Sequence, residues 1–418
     1  MSETSEHVVI VGGGVVGIAC AHYLSEAGAK VTVIEKNTLA GACSQGNCGY
    51  ICASHVLPLT EPDALWVGMK SLFNPRAAFR IKPQLRPELL RWLLEFAIRC
   101  NKKQMLRAGV GLKAILESSM SEYKQIIKEH SLACEWEEKG LLYVFKTASA
   151  LDHFGKMDQF ITEHFGVSAD RIEGAALTEL EPALKPGLAG AYHYKEDTSV
   201  RPDLLTSQWV ARLRAKGVEF IENCSLDKIQ KSNGSITSLE TSKGEFKADR
   251  YVFAVGAWSS KLAPHLGCKI PVEPGKGYSV TMARPTVCPE HPMLLPEEKV
   301  GVSPFKEGYR LGSMMEFAGY DTTIPPHRIE QLRTSAEPYL HEPHTDTVLE
   351  TWYGWRPMTW DSLPIIGQVP KIENSFLLTG HNMIGVAIAS GSGLLLKEIM
   401  MGETPHIDPT PYSPMRFN

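Results

Sequence analysis

The alternation of apolar and polar positions resolves the start of the chain into three elements. His7-Val8-Val9-Ile10-Val11 is a short apolar run ending in glycines, which predicts a buried strand. From Val16 the period lengthens, and Ile18, Cys20, Ala21 and Leu24 hold one face of a helix that Gly28 stops. Lys30-Val31-Thr32-Val33-Ile34 predicts a second strand, with Glu35 at its end. Residues 61–130 read as helical, broken at Pro75, Pro83 and Pro87, with Leu90, Leu93, Leu94, Ala97 and Ile98 recurring as one core-facing stripe. Further strands are expected at 140–145, 192–194, 218–221 and 251–255, and helices at 151–164 and 201–213. Ser232-Asn233-Gly234-Ser235 reads as a hairpin turn, and 271–353 as a β-rich region with one helix over 329–340. A last helix opens at Gly380 and runs through Gly391 and Gly393 to Ile399. Each glycine costs it about 1 kcal/mol relative to alanine, so its amide-bearing N-terminus is expected to serve a partly negative ligand group.

The link between first strand and helix is Gly12-Gly13-Gly14-Val15-Val16-Gly17, and Glu35 follows Gly12 by 23 residues. Strand, glycine turn, helix, strand and acid in this register make a βαβ dinucleotide unit. Gly12 permits the tight turn, Gly14 lets backbone approach a pyrophosphate, and Gly17 lets the helix pack close. Glu35 suits an adenosine ribose and disfavours a 2'-phosphate, so NAD and FAD stay open and NADP does not. The loop 41–49 is rich in small residues, as backbone that touches a ligand must be. Cys43, Cys48 and Cys52 match no zinc spacing, so they read as buried thiols and no metal site is expected. His55 reads as a hydrogen-bonded loop residue.

The chain has 418 residues, is 43% hydrophobic and carries a net charge of −4. That is room for two domains, without the basic field that nucleic acid requires. Residues 70–107 hold ten basic and two acidic side chains, a local +8 that leaves −12 elsewhere. The preferred reading is a solvated face over core-facing leucines, and the alternative is docking to an anionic membrane surface. The polar start lacks a signal pattern and reads as a short disordered tail; no apolar run is long enough to span a bilayer, and nine scattered cysteines suggest a reducing compartment. A cytoplasmic protein is expected, with peripheral attachment to the inner membrane's cytoplasmic face through 70–107 as the variant.

Several motifs together resemble the D-amino acid oxidase superfamily of flavoproteins, and within it the D-amino acid dehydrogenases of the small-subunit type. They are the Gly12 to Gly17 fingerprint with Glu35, Ser44 and Asn47, Gly256-Ala257-Trp258-Ser259, Lys276-Gly277-Tyr278-Ser279, Trp355-Arg356-Pro357-Met358-Thr359 with Leu363-Pro364-Ile365-Ile366-Gly367, and the Gly380 to Gly385 turn. The resemblance runs nearly end to end and implies an α/β fold. A Rossmann-like, glutathione-reductase-type FAD domain (1–88, 187–270 and 354–418) carries an inserted α+β substrate domain with a mixed sheet (89–186 and 271–353). It implies noncovalent FAD held by Gly12, Gly14, Val15, Val16, Gly17, Glu35, Lys36, Ser44, Asn47, Cys48, Gly49, Leu226, Gly256, Trp258, Gly354, Gly380, Met383, Ile384, Gly385 and Val386. Cys48 and Trp355 depart from the small residue and the leucine common in related dehydrogenases.

The activity so implied is oxidative deamination of a D-amino acid, with hydride passing from Cα to flavin N5 and electrons leaving to a quinone, another carrier or O2. The protein's tasks are then to orient the substrate, hold its carboxylate and offset charge on the reduced flavin. Arg356 is the candidate for the carboxylate, since a guanidinium makes two parallel charge-assisted bonds to it. Tyr278 and Lys276 are the further site candidates. A glycine, sarcosine or proline-type amine oxidase or dehydrogenase is the alternative, and a non-catalytic flavin-binding protein is the alternative of another class.

Overall fold

The computed structural model describes residues 5–72, 74 and 77–418, with only backbone for Val67 and Leu72. Four residues of the polar tail, the break at Pro75 and the charge of Arg76 lie outside the described residues. The elements that shape the site and its surroundings are, in chain order, β1 (His7–Val11), α1 (Val15–Glu26), β2 (Lys30–Ile34), α2 (Ala64–Leu72), α3 (Pro87–Arg99), α4 (Lys102–His130), β3 (Glu219–Ile221), β4 (Arg250–Phe253), β5 (Val272–Met282), β6 (Gly308–Phe317), β7 (Val348–Thr359), β8 (Ile365–Gln368), β9 (Ser375–Thr379) and α5 (Gly385–Met401).

A six-stranded sheet runs in the order β8-β9-β4-β1-β2-β3, parallel except for the antiparallel β8/β9 pair. Its central strand reads as unbroken Val and Ile because both faces are covered. Val8 and Ile10 join the cluster built with α1, α4 and α5, while Val9 and Val11 face Ile229, Ile236 and Leu239 of a three-stranded antiparallel sheet. The chain leaves β1 toward β2 on one side and takes up β4 on the other. This reversal opens a crevice at the carboxyl ends of β1 and β4, where open α/β sheets bind ligands.

The second large sheet is mixed and nine-stranded, with β7, β5 and β6 at one end and Leu141–Phe145, Gly190–Tyr194 and Asp170–Ile172 at the other. Gly190–Tyr194 thus hydrogen-bonds within this sheet, and β7 runs unbroken through residues 353 and 354. The expected helix over 329–340 is Pro326–Ala336.

Three expectations are corrected. The 61–130 region is not helical throughout, because Phe79–Ile81 forms a strand that pairs in parallel with β6. The leucine stripe of α3 faces the core only in part: Leu93 packs against it, while Leu90, Leu94 and Ile98 are 56%, 61% and 63% exposed. Trp92 sets the helix's rotation instead, its ring 5.3 Å from that of Phe317 and its Nε1 donating to the Pro271 carbonyl at 3.1 Å. The glycines of α5 serve mainly packing. A Cβ at Gly391 would lie 2.7 Å from Ser118 Oγ, and one at Gly393 2.8 Å from the Ala19 carbonyl carbon, so α5 crosses α4 and α1 at close range.

Candidate active site

The turn after β1 is built for backbone contact. Gly12 has φ +113°, and a Cβ there would lie 2.4 Å from the Ala254 carbonyl oxygen. At Gly17 a Cβ would fall 2.0 Å from the Gly12 oxygen, so this glycine seats α1 on the turn. Gly14 differs, because a Cβ on it would meet only Ser44 Oγ, at 3.6 Å. Among the described residues nothing crowds it, and it lines the cleft. Glu35 accepts from the Gly13 amide at 2.8 Å and from the Asn37 amide at 3.0 Å, which fixes its carboxylate at the rim.

A cleft of about 280 Å³ opens here. Of the expected cofactor residues, Gly12, Gly14, Val15, Val16, Glu35, Lys36, Ser44, Asn47, Leu226, Gly256, Trp258, Met383, Gly385 and Val386 line it. Gly17, Cys48, Gly49, Gly354, Gly380 and Ile384 stand behind this lining. Gly49 has φ +81° against the Val200 carbonyl, Gly354 makes room for the Trp352 ring, and Gly380 has φ +72° beside Thr359. Cys48 packs against Gly301 and Gly312 and accepts at its carbonyl from Ser303 Oγ at 2.7 Å. Ile384 is the residue before α5, whose first turn has neither a side-chain cap nor an acid and therefore leaves its amides to the cleft.

The loop between β2 and the second sheet is held from beneath. Arg310 of β6 donates to the Gln45 and Asn47 carbonyls at 2.8 and 2.7 Å and pairs with Glu350 at 3.3 Å. The Trp352 indole of β7 donates to the Ala42 carbonyl at 3.1 Å, and only a glycine fits at position 46 above its ring. From above, Ser44 Oγ accepts from the Val15 amide at 3.1 Å. Burial pushes the Cys43 thiol up to about 11 and raises that of Cys48, so both are neutral thiols.

Strand alternation separates the three candidate substrate residues. Arg356 and Gly277 share a face of the β5/β7 pair, and a Cβ at Gly277 would lie 2.4 Å from the guanidinium. Lys276 and Tyr278 point to the other face. The Tyr278 hydroxyl donates to Glu316 at 2.9 Å, and Lys276 Nζ donates to the Thr323 carbonyl between the Tyr278 and Tyr353 rings. That geometry sets these two apart from Arg356, on the face where Trp355 lines the cleft. Arg356 itself donates only to the Met314 and Ser313 carbonyls, at 2.5 and 3.4 Å, and among the described residues it has no carboxylate partner. The ionisable groups that act on it are the Cys43 and Cys48 thiols, and burial lowers its pKa from the ordinary value.

Some lining residues carry no signal in the sequence. Lys261 comes from a helix with no motif, its Nζ 4.1 Å from the Tyr320 ring, and only the fold brings it here. His381 and Asn382 lie inside the Gly380 to Gly385 stretch, whose glycines dominate its pattern. Burial lowers the His381 pKa to about 3, so the ring is neutral, and its Nε2 is buried without a partner. The same is true of Trp355 Nε1, which also borders the cleft. Two orphaned polar atoms, the open position above Gly14 and the uncapped α5 terminus together fit a long, polar-edged group such as FAD.

The family model described as DAO, FAD dependent oxidoreductase, matches residues 7–399. A D-amino acid dehydrogenase of Methylobacterium nodulans is 31% identical over 408 residues, 96% of this chain and 96% of that protein. The crystal structure of glycine oxidase from Geobacillus kaustophilus shares the fold with a TM-score of 0.79 at 20% identity, over 98% of each chain. That of glycine oxidase from Bacillus cereus does so with a TM-score of 0.76 at 21% identity, over 96% of this chain and 97% of that one. With a family match across nearly the whole chain and a glycine turn, loop and cleft that fit the cofactor, this protein belongs to the DAO family of FAD-dependent oxidoreductases.

Proposed function

We propose that the enzyme oxidises a D-amino acid to the 2-oxo acid and ammonia, passing electrons to a quinone or another carrier. The observation that carries this reading is Arg356, a partly buried guanidinium that stands between the cleft-lining residues Trp355 and Pro357 and next to Cys43 of the lining, with carbonyls but, among the described residues, no carboxylate around it. An unpaired buried cation is costly, and a substrate carboxylate answers it with two charge-assisted bonds. Bound FAD supplies the hydride acceptor. The protein's own residues orient the substrate: Arg356 holds the carboxylate, and the 42–47 loop, fixed by Arg310 and Trp352, lies beside it through Cys43. The Gly12 to Gly17 turn with Glu35 holds the adenosine and pyrophosphate portion, and Gly385 and Val386 direct amides at the flavin. Trp355 lines the cleft from the face of β7 opposite Arg356. The D-amino acid dehydrogenase named among the relatives supports the choice of substrate class. The expected division into a three-part FAD domain and a two-part substrate domain is retained as part of this proposal, with Gly190–Tyr194 and the whole of β7 assigned to the substrate sheet.

The test is anaerobic bleaching of the holoenzyme's visible band by a panel of D- and L-amino acids, glycine, sarcosine and proline. Bleaching by D-amino acids, with dye reduction exceeding oxygen uptake, is the expected result. Preferential bleaching by glycine, sarcosine or proline overturns the substrate class, and fast oxygen uptake overturns the acceptor.

A further inference from the structure

Seven of the twelve exposed large apolar side chains among the described residues lie between Leu65 and Ile98. They sit on the outward faces of two helices. On α2, Trp66 and Met69 are 64% and 49% exposed; on α3, Leu90, Leu94 and Ile98 form a stripe at helical spacing; between them Leu85 is 99% exposed. Helix α3 is thus apolar on two sides, one used on Phe317 through Trp92 and the other unused within the chain. Both helices rest on the same support, α2 through Gly68 against Ile81 and α3 through Trp92 against Phe317, and Ile81 pairs with Phe317.

The charges around this patch are predominantly positive, with exposed Asp63 and Glu88 as the opposing ones. Lys70, Arg91, Lys102, Lys103 and Arg107 are exposed and, among the described residues, form no ion pair with a carboxylate. Lys70 leans over the Trp66 ring at 5.9 Å. Of the two acids in the segment, Glu95 is neutralised by Arg99 at 2.7 Å. The rest of the chain carries −12, so the positive charge is concentrated in this segment. No described helix is long and apolar enough to cross a membrane. An apolar stripe with a tryptophan, rimmed by unpaired cations, instead matches what lies flat in the headgroup region of an anionic bilayer.

We propose that α2, the Leu85 turn and α3 form a docking face that seats this enzyme on an anionic lipid bilayer, with Trp66, Leu90, Leu94 and Ile98 entering the acyl boundary and Lys70, Arg91, Lys102 and Lys103 at the headgroups. This rests on the reading that the electrons leave for a carrier, and it gives a lipid-soluble quinone a place to meet the protein. Tyr320 lies three residues beyond Phe317 and stacks on Trp258 of the cleft at 6.2 Å, so the docking face and the cleft share one stretch of chain.

The experiment is co-sedimentation of the holoenzyme with phosphatidylcholine vesicles, with or without phosphatidylglycerol. Wild type should pellet with the anionic vesicles only, and less at high salt. Leu90→Ser/Leu94→Ser/Ile98→Ser should weaken binding at least about tenfold, since three apolar side chains no longer leave water. Arg91→Glu/Lys102→Glu/Lys103→Glu should weaken it about a hundredfold or more. Lys102 and Lys103 open α4, where glutamate suits the helix dipole, so the second variant spares the fold. Both variants should keep wild-type flavin bleaching in solution, which separates loss of docking from failure of the proposed activity. Absence of wild-type binding to anionic vesicles overturns the proposal, as does binding that neither variant alters. So does a wild-type dimer that the serine variant converts to monomer, since the patch would then be covered by a second copy of the chain.

Discussion

Arg356 lies diagonally across from Gly277 on one face of adjacent strands, and the guanidinium occupies the space a side chain at 277 would need. The glycine clears a lane along which Arg356 reaches the Met314 carbonyl of the next strand. Substitution of Arg356 by Lys should therefore keep charge but lose the forked geometry, and Ala should lose both. The expected fall in kcat/KM is about tenfold to a hundredfold for Ala, with Lys intermediate and FAD content unchanged. An amide analogue of the substrate is the control: Arg356→Ala should no longer distinguish it from the acid.

Tyr278→Phe should have the opposite profile. Its hydroxyl is spent on Glu316, which also accepts from Arg80 at 2.9 Å, so the variant should lose about 2 kcal/mol of stability while kcat/KM stays within about twofold. Urea unfolding beside steady-state kinetics separates the two effects. A kinetic loss without a stability loss would return Tyr278 to the substrate site.

Gly14→Ala and Gly17→Ala should fail differently. The first adds a methyl where only Ser44 Oγ stands at 3.6 Å, so the apoprotein should fold normally and lose FAD on gel filtration. The second drives a methyl to 2.0 Å from the Gly12 oxygen and should destabilise the apoprotein itself. Thermal unfolding of the two flavin-free proteins checks the distinction.

Buried His55, within 3.1 Å of the Tyr143 hydroxyl, has its pKa lowered from 6.5 to about 4 by loss of solvent. The fold therefore holds it neutral, and the unfolded chain takes up the proton first as pH drops. Its contribution is whole above pH 6.5 and is lost progressively as pH falls toward 4. His55→Gln should unfold less readily in acid: between pH 7 and pH 5 wild type should lose roughly 2 kcal/mol more than the variant. Equal losses in both would show that His55 protonates freely in the fold.

Much of this was legible in the sequence wherever a local pattern dictates a local structure. The Gly12 to Gly17 turn, β1, α1 and β2 follow from period and glycine placement alone, because turn geometry and burial are settled within a few residues. The rotation of α3 was not legible. Its leucines repeat as a core face should, and the decision against them rests with Trp92 and its distant partners Phe317 and Pro271. The separation of Lys276 and Tyr278 from Arg356 was hidden for a related reason. They flank Gly277 in a motif, but a strand sends alternate residues to opposite faces, and only the pairing of β5 with β7 shows which face holds Arg356. The glycines of α5 invited a reading about ligands when two of them answer to neighbouring helices.

The order of strands in the smaller sheet also bears on how the enzyme is made. β1 leaves the ribosome first, yet the neighbour on its far side, β4, begins at Arg250, and β4 in turn rests on β9, which ends at Thr379. A nascent chain can present the whole glycine turn while the walls that would enclose a nucleotide are still unsynthesised. Flavin capture is thereby deferred until β9 has been made, and a product truncated before Ser375 would carry the fingerprint but lack a place to keep the cofactor.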